Sequence, residues 1–234
     1  METKLIVARH GNTFRKGEVV LRAGSHTDVP LVEEGLKQGE RLAEKLSSLN
    51  LVPNRFFAGD LLRTKEMCAV VKKYFRQTSN VEVLDFLTEL DYGIDDGKPE
   101  VDVVLRLGLA EAERKGRSIA DATKEELTAL GKAALKRWDL DAILPAGWQF
   151  LTPRVSDLPN RWREFAMRVA EVYRGETTFV CTSNGVARFS TSILPDEFPR
   201  PLSLKLATGA YALYIYDDDD KTWRLVEWNG LPVE

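Results

Sequence analysis

The residues best suited to chemistry stand near the start of the chain, in the tripeptide Arg9-His10-Gly11. A histidine is a nucleophile when its surroundings keep the imidazole neutral, and His10 is one of only two histidines in the sequence. The guanidinium of Arg9 is suited to a planar, bidentate grip on an oxyanion such as phosphate. The tripeptide therefore suggests phosphate chemistry at His10, and a histidine with a purely structural role is the alternative.

The tripeptide follows a short apolar run that is typical of a buried strand. Similar apolar runs, each followed by a turn, lie at 55–58, 81–84 and 177–182. Amphipathic helices are expected over 32–49, 61–75 and 160–174. Strand–turn–helix units in this order predict an α/β fold with a mostly parallel sheet and helices on both of its faces. The turns after such strands lie along one edge of the sheet, where ligands bind.

Three more turns deliver polar groups to that edge. Arg63 falls in the first turn of a helix, after Asp60 as the expected N-cap, where a bound anion would favour a cation. A solvent-facing arginine is the alternative there. Glu89 follows the third strand, and Asn184 and Gly185 follow the fourth. We therefore expect one histidine, two arginines, a carboxylate and an amide to share one cleft.

Two segments are expected to select the ligand. The loop over residues 14–30 carries four polar candidates for the rim, and His26 reads equally well as an exposed loop residue. Residues 94–157 break the strand–helix order, with helices expected over 100–116 and 121–140, and we interpret them as an inserted lid. A peripheral helical decoration is the alternative. The rim candidates are Arg15, Lys16, Arg22 and His26.

Composition limits the remaining choices. The 234 residues suit a single domain, 1–234, with an insertion, and the net charge of -3 argues against bulk nucleic-acid binding. No apolar run approaches membrane-spanning length, and the short apolar start does not suit a signal peptide, so we expect a cytoplasmic protein. Two histidines and no His/Cys cluster argue against a metal site, and no organic cofactor is implied.

The acidic run 217–220 lies between two β-rich runs, at 202–216 and 222–228, and is expected to be the tip of a hairpin.

Five segments resemble the histidine phosphatase superfamily, also called the phosphoglycerate mutase-like proteins. The resemblance covers about residues 4–93 and 160–216 and implies a three-layer α/β/α fold. The segments are Arg9-His10-Gly11, Gly24 to Gly35 with Thr27-Asp28-Val29-Pro30-Leu31, Asp60-Leu61-Leu62-Arg63-Thr64, Leu87-Thr88-Glu89-Leu90-Asp91-Tyr92-Gly93, and Phe179 to Gly185.

The resemblance implies a role for each matched residue. His10 would take up a phosphoryl group, and Glu89 would protonate the leaving alcohol and later activate water. Arg9 and Arg63 would hold the phosphate oxygens and lower the pKa of His10. The phosphate-binding set implied in full is Arg9, Asn12, Arg63, Asn184 and Gly185.

One departure from the family pattern leaves the function open. Asn184 stands where the family carries a second histidine. An amide donor lacks the positive charge of that histidine, and this loss is expected to lower the reaction rate about tenfold or more. The first reading is a phosphatase acting on a small phosphoester, as a monomer or dimer. The second is a catalytically weakened phospho-ligand binding or regulatory protein. The third is a phosphoglycerate-type mutase, disfavoured because residues 12–16 lack the Glu-Ser-x-Trp-Asn run of such enzymes.

Overall fold

A computed structural model describes residues 2–117 and 122–231. Within these residues the chain forms a six-stranded sheet with the order β3-β2-β4-β1-β5-β6. The first four strands in this order run parallel, and β5 runs antiparallel to both of its neighbours, β1 and β6, so the predicted mostly parallel sheet is confirmed. The strands are β1 (Thr3–Arg9), β2 (Arg55–Ala58), β3 (Val81–Val83), β4 (Thr177–Thr182), β5 (Tyr211–Asp217) and β6 (Thr222–Gly230).

Helices cover both faces of the sheet because residues of the central strands alternate between two apolar cores. Leu5 and Val7 of β1 belong to the core that includes the aromatic side of α5, whereas Ile6 and Ala8 belong to the core shared with α1 and α2. This confirms the predicted arrangement. The helices are α1 (Glu33–Ser48), α2 (Leu62–Tyr74), α3 (Glu100–Arg114), α4 (Lys124–Asp141), α5 (Thr152–Val172) and the short α6 (Asn184–Ala187).

The start of α2 is capped from a distant loop. The predicted cap, Asp60, instead accepts a hydrogen bond from Lys65 Nζ at 2.9 Å. The Leu62 backbone N–H donates to Asp28 Oδ1 at 2.7 Å, so the expectation of a local cap is wrong. The capping contact holds the loop around Asp28 against the helix end that carries Arg63.

Two other boundaries differ from the sequence expectations. Helix α5 begins at Thr152 rather than near 160, because Pro153 occupies the first turn, where a missing N–H costs no hydrogen bond. Residues 202–210 form no strand, although we expected a β-rich run from 202. Backbone N–H groups in this segment form hydrogen bonds outside the sheet. For example, the Leu206 N–H donates to Asn184 Oδ1 at 3.1 Å. Residue 121, where the expected second helix of the insertion began, lies outside the described residues.

Helices α3 and α4 form a closely packed hairpin within the insertion. A Cβ on Gly108 would overlap the Leu127 carbonyl, and one on Gly131 would overlap the Val104 carbonyl, so the two backbones touch. Nearby, the buried Asp95 carboxylate accepts from Arg106 and, at 2.7 Å, from Trp148 Nε1. Among the described residues, every helix falls short of the length or hydropathy that crossing a lipid bilayer requires.

Candidate active site

A cavity of about 470 Å³ opens at the carboxyl ends of the parallel strands. Its volume is typical of a site for a small molecule. Six residues predicted from the sequence for catalysis or phosphate binding line it together, although they come from four separated segments of the chain. These are Arg9, His10, Asn12, Arg63, Glu89 and Asn184.

His10 lies at the base of the cavity as a neutral imidazole. Its ring is buried, and Nδ1 lies 2.8 Å from the Gly11 carbonyl oxygen. Because that oxygen only accepts, Nδ1 carries the proton and Nε2 keeps its lone pair. Burial, together with the charges of Arg63 and Arg9, holds the pKa of His10 well below its usual range. The arrangement therefore presents a nucleophilic nitrogen at neutral pH.

The two arginines beside His10 are held by neutral partners. Arg63 is fully buried, so the solvent-facing alternative is wrong, and its guanidinium donates to the carbonyls of Thr27 at 2.8 Å and of Ala23 and Gly24 at 3.1 Å. Arg9 donates to the Leu206 carbonyl at 2.8 Å.

Both arginines keep charge and donors for a ligand. Burial lowers the pKa of Arg9 to about 10, which leaves it charged at neutral pH. Burial also lowers the pKa of Arg63. The Nε atoms of both are buried and find no acceptor within the described part of the chain. Such donors suit an anion that enters the cavity.

Glu89 is a buried side chain whose carboxyl group is held in place at the cavity wall. Its Oε1 accepts from the Leu90 N–H at 2.9 Å, and its Oε2 accepts from the Gly185 N–H at 3.3 Å. A Cβ at Gly185 would overlap Glu89 Oε1, so only glycine permits this approach. Gly185 was expected among the phosphate-binding residues, but it is not part of the cavity lining, and its N–H donates to Glu89.

Asn184 and Asn12 bring amide side chains to the cavity wall. Asn184 Oδ1 accepts from the Leu206 N–H, so its Nδ2 remains the donor for a ligand. The Asn12 backbone N–H donates to Gln38 Oε1 at 2.7 Å, which fixes the turn that follows His10.

Of the four rim candidates, only Arg22 lines the cavity. Its guanidinium pairs with Glu100 and lies 4.9 Å from the centroid of the Trp148 ring. Arg15 pairs with Glu18 within an exposed turn, and the neighbouring Lys16 is exposed as well. His26 pairs with Asp91 at 3.2 Å on the surface, so the expectation for the last three is not met.

Several residues of the cavity wall were not predicted from the sequence. Arg188 follows Asn184 by four residues, and that helical spacing was the available signal for its position on the same face. The insertion supplies other missed residues, whose placement depends on how α3 and α4 dock. The charged and aromatic residues missed are Phe14, Tyr92, Glu100, Trp138, Asp139, Arg188 and Lys205. Within the described residues, no group of three or more His, Cys, Asp or Glu side chains is arranged to hold a metal.

Comparison with known proteins gives consistent matches. The family model of the histidine phosphatase superfamily, branch 1, matches residues 5–132. Phosphoglycerate mutase-like protein 4 of Arabidopsis thaliana is 25% identical over 232 residues, which cover 97% of this chain and 85% of that protein.

Two solved structures share the fold at lower sequence identity. Phosphoglycerate mutase from Bacillus anthracis superposes with a TM-score of 0.66 at 20% identity, covering 97% of this chain and 93% of the other. A mycobacterial glucosyl-3-phosphoglycerate phosphatase, solved with VO3, superposes with a TM-score of 0.64 at 20% identity, covering 97% and 99%. The family model spans the strand ends that carry His10, Arg63 and Glu89, and by this match the chain belongs to the histidine phosphatase superfamily, branch 1.

Proposed function

We propose that the protein hydrolyses small phosphomonoesters through a phosphohistidine at His10. The observation that carries the proposal is the state of this imidazole. It is buried and neutral, its Nδ1 is fixed on the Gly11 carbonyl, and the guanidiniums of Arg9 and Arg63 lower its pKa. A phosphate drawn to the two cations meets the lone pair of Nε2.

The proposed reaction has two steps. Nε2 attacks phosphorus, an N–P bond forms, and the P–O bond to the alcohol breaks while Glu89, which enters this step as the carboxylic acid, donates its proton to the leaving oxygen. A water oxygen then attacks phosphorus while the Glu89 carboxylate takes a proton from that water, and the N–P bond breaks. Inorganic phosphate leaves, and neutral His10 and the carboxylic acid of Glu89 are regenerated. Arg9, Arg63 and the amide donors of Asn184 and Asn12 stabilise the charge on the transferring group.

The insertion is proposed to act as a lid over this reaction. Glu100 at the start of α3 and Leu135, Trp138 and Asp139 of α4 line the same cavity as His10. Walls from the insertion would exclude water from the leaving group and shape the choice of substrate.

A second candidate is a phospho-ligand binding protein that has lost turnover. Asn184 favours it, because a neutral amide stands where a charged donor is expected at the transferring phosphate. Mutase activity is a third candidate, supported by the names of the mutase-like relatives. An isomerase assay primed with a bisphosphoglycerate distinguishes mutase from phosphatase.

The test is phosphate release from a panel of phosphorylated metabolites and phenyl phosphate. We expect His10→Ala to abolish release and to abolish an acid-labile phosphoprotein trapped by rapid quench. The matched control is His26→Ala, which removes the other histidine at an exposed position outside the cavity and is expected to keep the activity. Tight binding of phosphate without release or phosphoprotein would instead support the binding protein.

A further inference from the structure

The cavity contains a second pair of cations besides Arg9 and Arg63. Arg188 is fully buried just after α6, and Lys205 lies in the loop before β5 with about half of its side chain exposed. Both line the cavity that holds His10. Neither cation is among the charges that shift the pKa of His10, although the charge of Arg188 contributes to lowering the pKa of Arg9.

This second pair carries one positive charge more than its partners cancel. Within residues 2–117 and 122–231, both cations have one carboxylate partner, Asp139, which accepts from Arg188 Nη2 at 3.4 Å and from Lys205 Nζ at 2.8 Å. By contrast, Arg22 and Glu100 on the same wall pair one to one. Two cations that share one carboxylate keep a net charge of about one unit, which an anion of the ligand can neutralise.

The other partners of Arg188 are neutral. Its Nε donates to the Asn184 carbonyl at 3.1 Å, Nη1 donates to the Trp138 carbonyl, and the guanidinium stacks 4.0 Å from the centroid of the Trp138 ring. These contacts orient the guanidinium without cancelling its charge. An ammonium has three N–H donors, and the Lys205 ammonium uses one of them on Asp139, so donors remain for a ligand.

Arg188 also holds the end of α4, which is a structural role. Helix carbonyls attract cations at the C-terminus, and Ser203 Oγ bonds the next carbonyl, that of Asp139, at 3.2 Å. The test must therefore measure a quantity that loosening α4 does not change. Lys205 is the better probe, because its hydrogen bond goes to the Asp139 side chain rather than to the backbone of the helix.

We propose that Arg188 and Lys205 form a second anion subsite, so that the ligand is a phosphomonoester that carries a further anionic group. A carboxylate fits best, because its single charge matches the single surplus cation. This inference rests on the proposed function in one respect only, namely that the phosphate end of the ligand binds at His10.

The probes are phosphonocarboxylic acids with spacers of two to six carbons, each compared with its carboxyl methyl ester. In a phosphonate, carbon replaces the ester oxygen next to phosphorus, so a phosphatase cannot hydrolyse the probe. Calorimetry therefore measures its affinity whether or not the protein is a phosphatase. Matched bisphosphonates distinguish a second phosphate from a carboxylate. At the best spacer length we expect the acid to bind about tenfold or more tightly than its ester, since a charge-assisted contact is gained.

Two variants should move this affinity ratio in opposite directions. Lys205→Met removes a cation and should lower the ratio toward one, whereas Asp139→Asn removes the neutralising carboxylate and should raise it. The control is Lys136→Met, which removes the same charge from an exposed position of α4 outside the cavity. A merely structural role would shift both variants in the same direction.

The outcomes separate the two proposals. A ratio near one at every spacer length, for both the acids and the bisphosphonates, overturns the second subsite. A large ratio that responds to Lys205 and Asp139 as stated supports the subsite even if no phosphomonoester is hydrolysed, in which case only the proposed hydrolysis fails.

Discussion

The two ends of the cleft hold their cations in different ways. At the sheet end, Arg63 and Arg9 are held by backbone carbonyls, which orient a guanidinium and leave its charge intact. The other end of the cleft, here called the insertion end, is lined by the start of α3, the end of α4 and the loop before β5. Its cations bond carboxylates, which cancel part of their positive charge. In the cavity these pairs are Arg22 with Glu100, and both Arg188 and Lys205 with Asp139. Arg106 pairs with Asp95 in the same part of the molecule but outside the cavity lining. The sheet end is therefore built to receive a strong anion. At the insertion end, the one-to-one pairs hold helices in place, and only the two cations that share Asp139 keep charge for a ligand.

The largest expected effect is that of Arg63→Met at the sheet end. The change removes a cation at the phosphate and leaves carbonyls of residues 23, 24 and 27 without their donor. We expect kcat/KM to fall about a thousandfold, and the free energy of unfolding to fall by about 2–4 kcal/mol. Phosphate-release assays and urea titrations measure both.

Lys73→Met on the same helix is the matched control, because it removes an exposed cation from the last turn of α2. It should keep kcat/KM within about twofold, as surface substitutions usually do. If Arg63→Met kept most of its activity, the difference drawn between the two ends would be wrong.

Asp95→Asn probes the insertion end and should affect stability more than rate. The Asp95 side chain is 3% exposed and pairs with Arg106, so neutralising it leaves the guanidinium poorly compensated and costs about 2 kcal/mol. Asp95 does not line the cavity, and we expect kcat/KM to fall by less than about tenfold. Hydrogen exchange should report the loss of protection in α3 and α4.

The control for this prediction is Asp102→Asn, an exposed carboxylate on the first turns of α3. It should leave exchange in both helices unchanged. A large loss of activity in Asp95→Asn without loss of protection would show that the insertion end takes a direct part in the chemistry.

The sequence could predict the sheet end because topology places it. His10, Arg63, Glu89 and Asn184 each follow a strand, and parallel strands bring their carboxyl ends together whatever the packing details. The insertion end could not be predicted in this way. Asp139 reaches the cavity only because α3 and α4 pack closely and the end of α4 docks on the loop before β5. Loop residues such as Arg15 gave no reliable signal, since local partners decided where they point.

Asn184→His tests whether the sheet end lacks one charge. A protonated imidazole there would add a charge-assisted donor, and we expect kcat to rise about tenfold. Asn184→Leu, which has a similar volume but no donor, should lower it. If the histidine variant is no faster, the cations already present supply enough charge, and the binding-protein reading loses its main support.

The smallest effect concerns pH and separates burial from charge at His10. Its pKa is lowered first by burial and then by Arg63 and Arg9, so the imidazole stays neutral well below pH 6.5. The unfolded chain binds this proton more readily, so the contribution of His10 to stability is complete above about pH 6.5 and declines as the pH falls toward the lowered pKa.

Arg9→Met should raise the pKa of His10 and move the acid limb of the kcat/KM profile to higher pH. The pKa should return only part of the way to its ordinary value, because the burial of the ring remains. Imidazole NMR measures this directly, since the chain has two histidines and His26→Ala assigns the signals. A His10 that titrates at its ordinary pKa would show that carbonyl-held cations do not govern the sheet end.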